Sequence, residues 1–192
     1  MTMRARVLGA LVSLPLVCAG CAGRINDGVW RQFSERSYAT AIGTVIHDST
    51  WLFAVVESFH LVGLALLGGA VLIVDLRLLG VGLREASARR LAQAAQPVLL
   101  GSLAVMLISG LMLYLSEATK FYSQDFWDSA EFPFIYKMLF LVLASAFTFT
   151  VRRRMLASDA AQSGAVGPKV VALVSMLLWL AVAIGGRGIG FY

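Results

Sequence analysis

The sequence predicts an all-α integral membrane protein, an antiparallel bundle of four helices that cross the bilayer. Of its 192 residues, 59% are hydrophobic and only 14% are charged, whereas a soluble domain usually carries about a quarter charged residues. The apolar residues form long runs, and a run of about 20 residues spans the hydrocarbon core. Because lipid cannot pair exposed backbone groups, such runs must be helical, and short loops between them make neighbouring helices antiparallel.

Residues 1–23 have the pattern of an export signal. Arg4 and Arg6 precede an apolar stretch from Val7 to Val17, and small residues follow it. The same stretch is marginally long enough to remain as an N-terminal anchor, so both interpretations stay open. Lipid modification of Cys21 is a third alternative, disfavoured because Cys18 occupies the position of the usual leucine-like residue.

Residues 24–50 are polar enough to leave the bilayer. Within them, Tyr38, Ile42, Val45 and Ile46 recur at helical spacing. We therefore expect a short helix at the membrane interface, on the extracytoplasmic side.

Residues 51–192 are expected to form the transmembrane domain. Pro97 precedes the second apolar run, at a position that favours the start of a helix. The four spans are predicted at about 51–74, 98–115, 133–151 and 170–186.

The positive charges predict the orientation in a bacterial inner membrane. Loops 75–97 and 152–169 hold most of the arginines that flank the spans, and such loops stay in the cytoplasm. Residues 24–50, loop 117–132 and the C-terminus then lie outside. Since the membrane explains the net charge of +5, we expect no nucleic-acid partner.

The first span carries ionisable residues at bilayer depth. Glu57 and His60 lie on one helical stripe that ends at Asp75. A charge at the bilayer centre costs about 2.5–3.5 kcal/mol on the insertion scale, so such residues usually face a bundle interior or a partner. Asp75 and Arg77 are expected to form a structural ion pair at the membrane edge.

A candidate site combines this stripe with the other spans. Lys137 lies on the third span at a depth close to that of Glu57, and Tyr114 and Arg187 lie toward the outer ends of theirs. One hypothesis is a cavity in which Glu57 pairs with Lys137 while neutral His60 binds haem b or a metal ion. The alternative is a buried polar cluster that only sets helix register.

Met106 is a possible soft ligand for copper, although methionine more often fills gaps in a core. Small residues, among them Gly68, Ser109 and Gly110, leave room for a flat macrocycle or let helices approach closely. The sequence contains no nucleophile with a base and no phosphate loop, so enzymatic activity is disfavoured.

The chain resembles the uncharacterised bacterial membrane proteins grouped as domain of unknown function 6644. The similarity lies in WLFAVVESFHLVGLALLGGAVLIVDLRLLG, SGLMLYLSEATKFY, FIYKMLFLVLASA and WLAVAIGGRGIGFY. It implies a four-span inner-membrane protein of unassigned activity and covers Glu57, His60, Asp75, Arg77, Lys137 and Arg187. More distantly, the placement of a histidine in the first span and a lysine in a later span resembles that in copper-resistance D proteins and HemJ-type protoporphyrinogen oxidases. This resemblance implies that the protein binds haem or copper.

Three functional hypotheses follow. The first is a haem- or metal-binding protein for electron transfer or metal handling, with His60 as the ligand. The second is a non-catalytic subunit or scaffold that binds a membrane-protein partner or a second copy of itself. The third is a HemJ-like membrane oxidoreductase.

Overall fold

The computed structural model describes residues 27–82, 86–121, 130–158 and 166–191. Throughout these ranges the regular structure is helical. The signal or anchor segment 1–23, with Cys21, lies outside the described residues, as do half of loop 117–132 and part of each basic loop.

Two short helices precede the first span. Helix α1 covers Asp27–Tyr38 and helix α2 covers Ala41–Asp48. The Thr40 hydroxyl caps α2 by accepting a hydrogen bond from the backbone N–H of Gly43 at 3.2 Å. Where the sequence predicted one interfacial helix, the cap at Thr40 therefore starts a second one.

Four long helical segments follow and are long and apolar enough to cross a membrane. Helix α3 covers Thr50–Leu79, and α4 covers Ala88–Glu117 and continues as a 3₁₀ turn, Ala118–Phe121. The third span contains α5, Glu131–Phe147, a π turn, Thr148–Arg152, and α6, Arg153–Ala157. Helix α7 covers Val166–Ile189. The all-α membrane bundle is thus confirmed.

Helices α3 and α4 extend beyond the predicted spans at the basic end of the bundle. Helix α3 ends at Gly80, whose φ of 82° is the left-handed conformation that glycine adopts most easily. Helix α4 begins at Ala88, where the Ser87 hydroxyl accepts from the N–H of Arg90 at 3.3 Å. Pro97 therefore lies inside a helix rather than at its start, because hydropathy marks the bilayer edge while capping marks the helix end.

The spans do not all pack against one another. Helix α3 packs along α4 and also against α7, and α7 packs along α5. Helix α4 makes little direct contact with α5, although its 3₁₀ extension touches α5 and its N-terminal half touches α6. One core cluster contains Leu67, Ala70, Val71, Leu99 and Met106, and Trp179 of α7 packs against it.

Candidate functional site

His60 is held by a serine of the neighbouring span. Its Nδ1 lies 2.9 Å from the Ser109 hydroxyl oxygen, which itself lies 2.6 Å from the Val105 carbonyl oxygen. Because the Val105 carbonyl can only accept, we infer that the hydroxyl proton goes to Val105 and that the serine oxygen accepts from Nδ1–H of His60. In the neutral imidazole, Nε2 then carries the lone pair that can bind an electron-pair acceptor.

Gly110 makes room for the imidazole. A Cβ at position 110 would lie 3.2 Å from His60 Cε1, so a larger residue would displace the ring. The sequence marked Ser109 and Gly110 only as small residues. Their role beside the histidine could not be inferred, because it depends on how α3 and α4 are rotated against each other.

Lys137 of α5 lies at the contact between α5 and α7. Its Nζ lies 3.6 Å from where a Cβ of Gly186 would be. Among the described residues, no ion pair or hydrogen bond involves its ammonium group. The candidate site residues therefore include an imidazole on α3 and, on α5, an amine that no described residue pairs.

Glu57 does not take part in the expected pair with Lys137. The preceding Val56 is buried whereas Glu57 is exposed, since successive helical residues are turned by about 100° from each other. Residues 50–79 do form one helix, so Glu57 and His60 lie on the same side of it, as the spacing predicted. The inward side of α3 is rotated toward Val56, Gly63 and Leu67, which leaves Glu57 on the outer surface of the bundle.

Tyr114 and Arg187 lie apart from the hydrogen-bonded His60 group. Tyr114 belongs to an aromatic cluster, with ring centroids 5.4 Å from Phe121 and 5.2 Å from Phe134. Arg187 is exposed, and its guanidinium carbon lies 4.9 Å from the Phe191 ring centroid. Neither residue provides the counter-charge that Lys137 lacks.

Met106 fills the core beneath the histidine. It is 6% exposed, and its Cγ lies 3.2 Å from where a Cβ of Gly63 would be. The part of the chain that the structure describes holds no group of three or more His, Cys, Asp or Glu residues able to bind a metal ion.

Asp75 pairs with Arg152 instead of Arg77. The Nε of Arg152 donates to Asp75 Oδ1 at 2.8 Å and one Nη donates to the Val71 carbonyl at 3.1 Å. The Asp75 side chain is 0% exposed and the Arg152 side chain is 5% exposed. Arg77 instead donates to the Ala86 carbonyl at 2.7 Å. The ion pair joins the first and third spans, whereas the expected pair was local to α3.

The π turn accounts for the burial of Arg152. Thr148 and Arg152, the first and last residues of this turn, both face the interior. The Thr148 hydroxyl accepts a hydrogen bond from Trp179 Nε1 at 3.1 Å. Arg152, Arg153 and Arg154 all fall at the start of the basic loop 152–169, and no signal in the sequence distinguishes which of the three is buried.

The comparisons with known proteins found a family but no characterised relative. No curated protein and no solved structure matches the chain. One family model matches residues 30–192, which covers all four spans and every candidate residue described above. The chain therefore belongs to the family of unknown function DUF6644.

Proposed function

We propose that this small membrane protein binds haem b with His60 as an axial ligand and acts in electron transfer. The observation that supports the proposal is the 2.9 Å contact between His60 Nδ1 and the Ser109 hydroxyl, from which the tautomer of His60 is inferred. Ser109 holds its Nδ1–H, and Nε2 is left as the electron-pair donor. Ligating histidines are commonly oriented in this way by a hydrogen bond to the other ring nitrogen.

Lys137 favours haem over a bare metal ion. An ammonium group within the bundle would repel a free cation such as Cu⁺, and no carboxylate among the described residues pairs with it. Haem carries two propionates that an ammonium can neutralise. With one histidine inside the spans, the second axial position of the iron would be open or filled by a weak ligand.

The test compares the two histidines of the chain. Wild type, His60→Ala and His47→Ala are purified in detergent and examined by absorption spectroscopy and iron analysis. His47 lies outside the spans, where it contacts the Ser116 carbonyl at 3.1 Å, so its replacement is the control. We expect a Soret band and about one iron per chain in wild type and His47→Ala, and loss of both in His60→Ala. A wild type without haem, or a His60→Ala protein that keeps it, contradicts the proposal.

Glu57 supports a second function, that of a subunit in a larger membrane complex. Its carboxylate is exposed on a span, and no described residue forms an ion pair with it. Because an unpaired carboxylate is costly in lipid, a partner helix that donates a hydrogen bond or positive charge would stabilise it. Pull-down of the wild type against Glu57→Gln tests this function, which predicts one co-purifying protein that the variant loses.

A further inference from the structure

A cavity of about 320 Å³ opens between α4 and the third span at the basic end of the bundle. This size lies within the range of small-molecule sites. Its apolar wall includes Ala70, Val74 and Leu99. The polar residues that line it are Arg89, Gln93, Gln96, Thr148, Arg152 and Arg153. No carboxylate is among the described residues that line this cavity.

Two of the three arginines are not neutralised. Arg152 is paired with Asp75 at 2.8 Å, so it contributes hydrogen-bond donors and little net charge. Arg89 and Arg153 are exposed and form no ion pair with any described residue. They come from different spans yet line one cavity, which is a geometry suited to holding one anion between two guanidinium groups.

We propose that this cavity binds a phosphate group, and that the phosphate belongs to an anionic phospholipid. The cavity lies between the N-terminal part of α4 on one side and the π turn and α6 on the other, with Ala70 and Val74 of α3 in its wall. The apolar wall can contact glycerol and acyl carbons while the arginines hold the headgroup. Basic pockets between spans are known to bind anionic headgroups. The site is separate from His60, and the inference does not depend on haem binding.

The test uses two double variants with the same change in charge. Arg89→Gln/Arg153→Gln removes the cavity arginines. Arg90→Gln/Arg154→Gln removes their sequence neighbours, which do not line the cavity. Native mass spectrometry of the full-length protein measures binding of palmitoyl-oleoyl phosphatidylglycerol and of the matching phosphatidylcholine, and a separate arm adds inorganic phosphate as competitor.

We expect the cavity variant to bind phosphatidylglycerol about tenfold or more weakly than wild type, and the control variant to change little. Equal losses in both variants would show general attraction to a basic surface and overturn the proposal. Equal binding of phosphatidylcholine would also overturn it. Displacement by millimolar phosphate would keep the anion site but assign it to free phosphate. If the cavity variant does not fold, the single Arg89→Gln and Arg90→Gln variants make the same comparison.

Discussion

The Ser109 hydroxyl determines which nitrogen of His60 is available. Its oxygen accepts from Nδ1–H while its proton goes to the Val105 carbonyl. Without this contact the imidazole can rotate and exchange tautomers. The serine therefore belongs to the proposed haem site although it would not touch the iron.

Ser109→Ala is expected to weaken the proposed haem binding about 10- to 100-fold, the usual effect of removing the hydrogen-bond partner of a ligating histidine. Ser102→Ala is the matched control. Ser102 lies on the same helix and its hydroxyl bonds only the carbonyls of its own helical turn, at 2.6 and 3.2 Å. Haem titration followed at the Soret band measures both. Equal affinity of the two variants would contradict an orienting role for Ser109.

Asp75→Asn should destabilise the protein by about 3–5 kcal/mol, because the buried Arg152 would keep its charge without a counter-ion. Unfolding by sodium dodecyl sulfate in mixed micelles measures the change. Asp48→Asn, at an exposed aspartate, is the control and should be nearly neutral. The double variant Asp75→Asn/Arg152→Met should recover part of the loss, whereas additive losses would show that the pair is not coupled.

At this scale the sequence predicted which ionisable residues lie within the spans better than it predicted their partners. Glu57, His60, Asp75 and Lys137 were all found from their positions in apolar runs. The partner of Asp75 was assigned to Arg77 because sequence proximity is the only distance a single sequence shows. Arg152 is brought to Asp75 by the pairing of spans and by a π turn, and neither can be read from hydropathy.

Glycines determine how closely α5 and α7 approach each other. A Cβ at position 185 would lie 2.9 Å from Tyr136 Cδ1 and 3.1 Å from the Lys137 backbone Cα. Helix backbones in membranes approach this closely only over small residues. Gly68 of α3 is different, since a Cβ there would meet nothing within 4 Å.

Gly185→Ala is therefore expected to destabilise the bundle by about 1–3 kcal/mol, the usual cost of forcing atoms into a packed interface. Gly68→Ala adds the same methyl group in open space and should leave stability unchanged or slightly increased. Denaturant unfolding in micelles compares the two. Similar stabilities would show that α5 and α7 can separate without cost. Because Lys137 lies at this contact, Gly185→Ala should also weaken haem binding.

The ends of the helices do not coincide with the ends of the apolar runs. The four apolar runs correctly predicted four spans, yet α4 begins at Ala88 in the polar segment before Pro97. Residues such as Arg89, Arg90 and Gln93 are good helix formers, so the helix continues into water after the apolar run has ended. The run length therefore predicts the membrane-embedded part of each helix and not its ends.

For the whole molecule, the order in which the spans pack could not be predicted. Each span is apolar on most of its surface, because one side faces lipid and the other faces protein. Exposed leucines and valines on all four spans illustrate this. Hydropathy therefore carries no signal that α4 contacts α3 while separating from α5. The arginine-lined cavity follows from this arrangement.

The orientation in the membrane remains a prediction, and single cysteines can test it. In a background with Cys18 and Cys21 replaced by serine, Thr119→Cys and Ser158→Cys place exposed thiols at opposite ends of the bundle. Since arginine-rich ends stay in the cytoplasm, a membrane-impermeant maleimide should label Thr119→Cys in intact spheroplasts. Ser158→Cys should be labelled only after the membrane is permeabilised.

The reverse labelling pattern would place the basic end outside and would contradict the charge argument. It would also change the meaning of the arginine-lined cavity. In the predicted orientation, Arg89 and Arg153 lie in the leaflet whose surface attracts basic residues through anionic lipids. In the opposite orientation the same cavity would face the other leaflet. The labelling result therefore decides which leaflet would supply the phospholipid to this cavity.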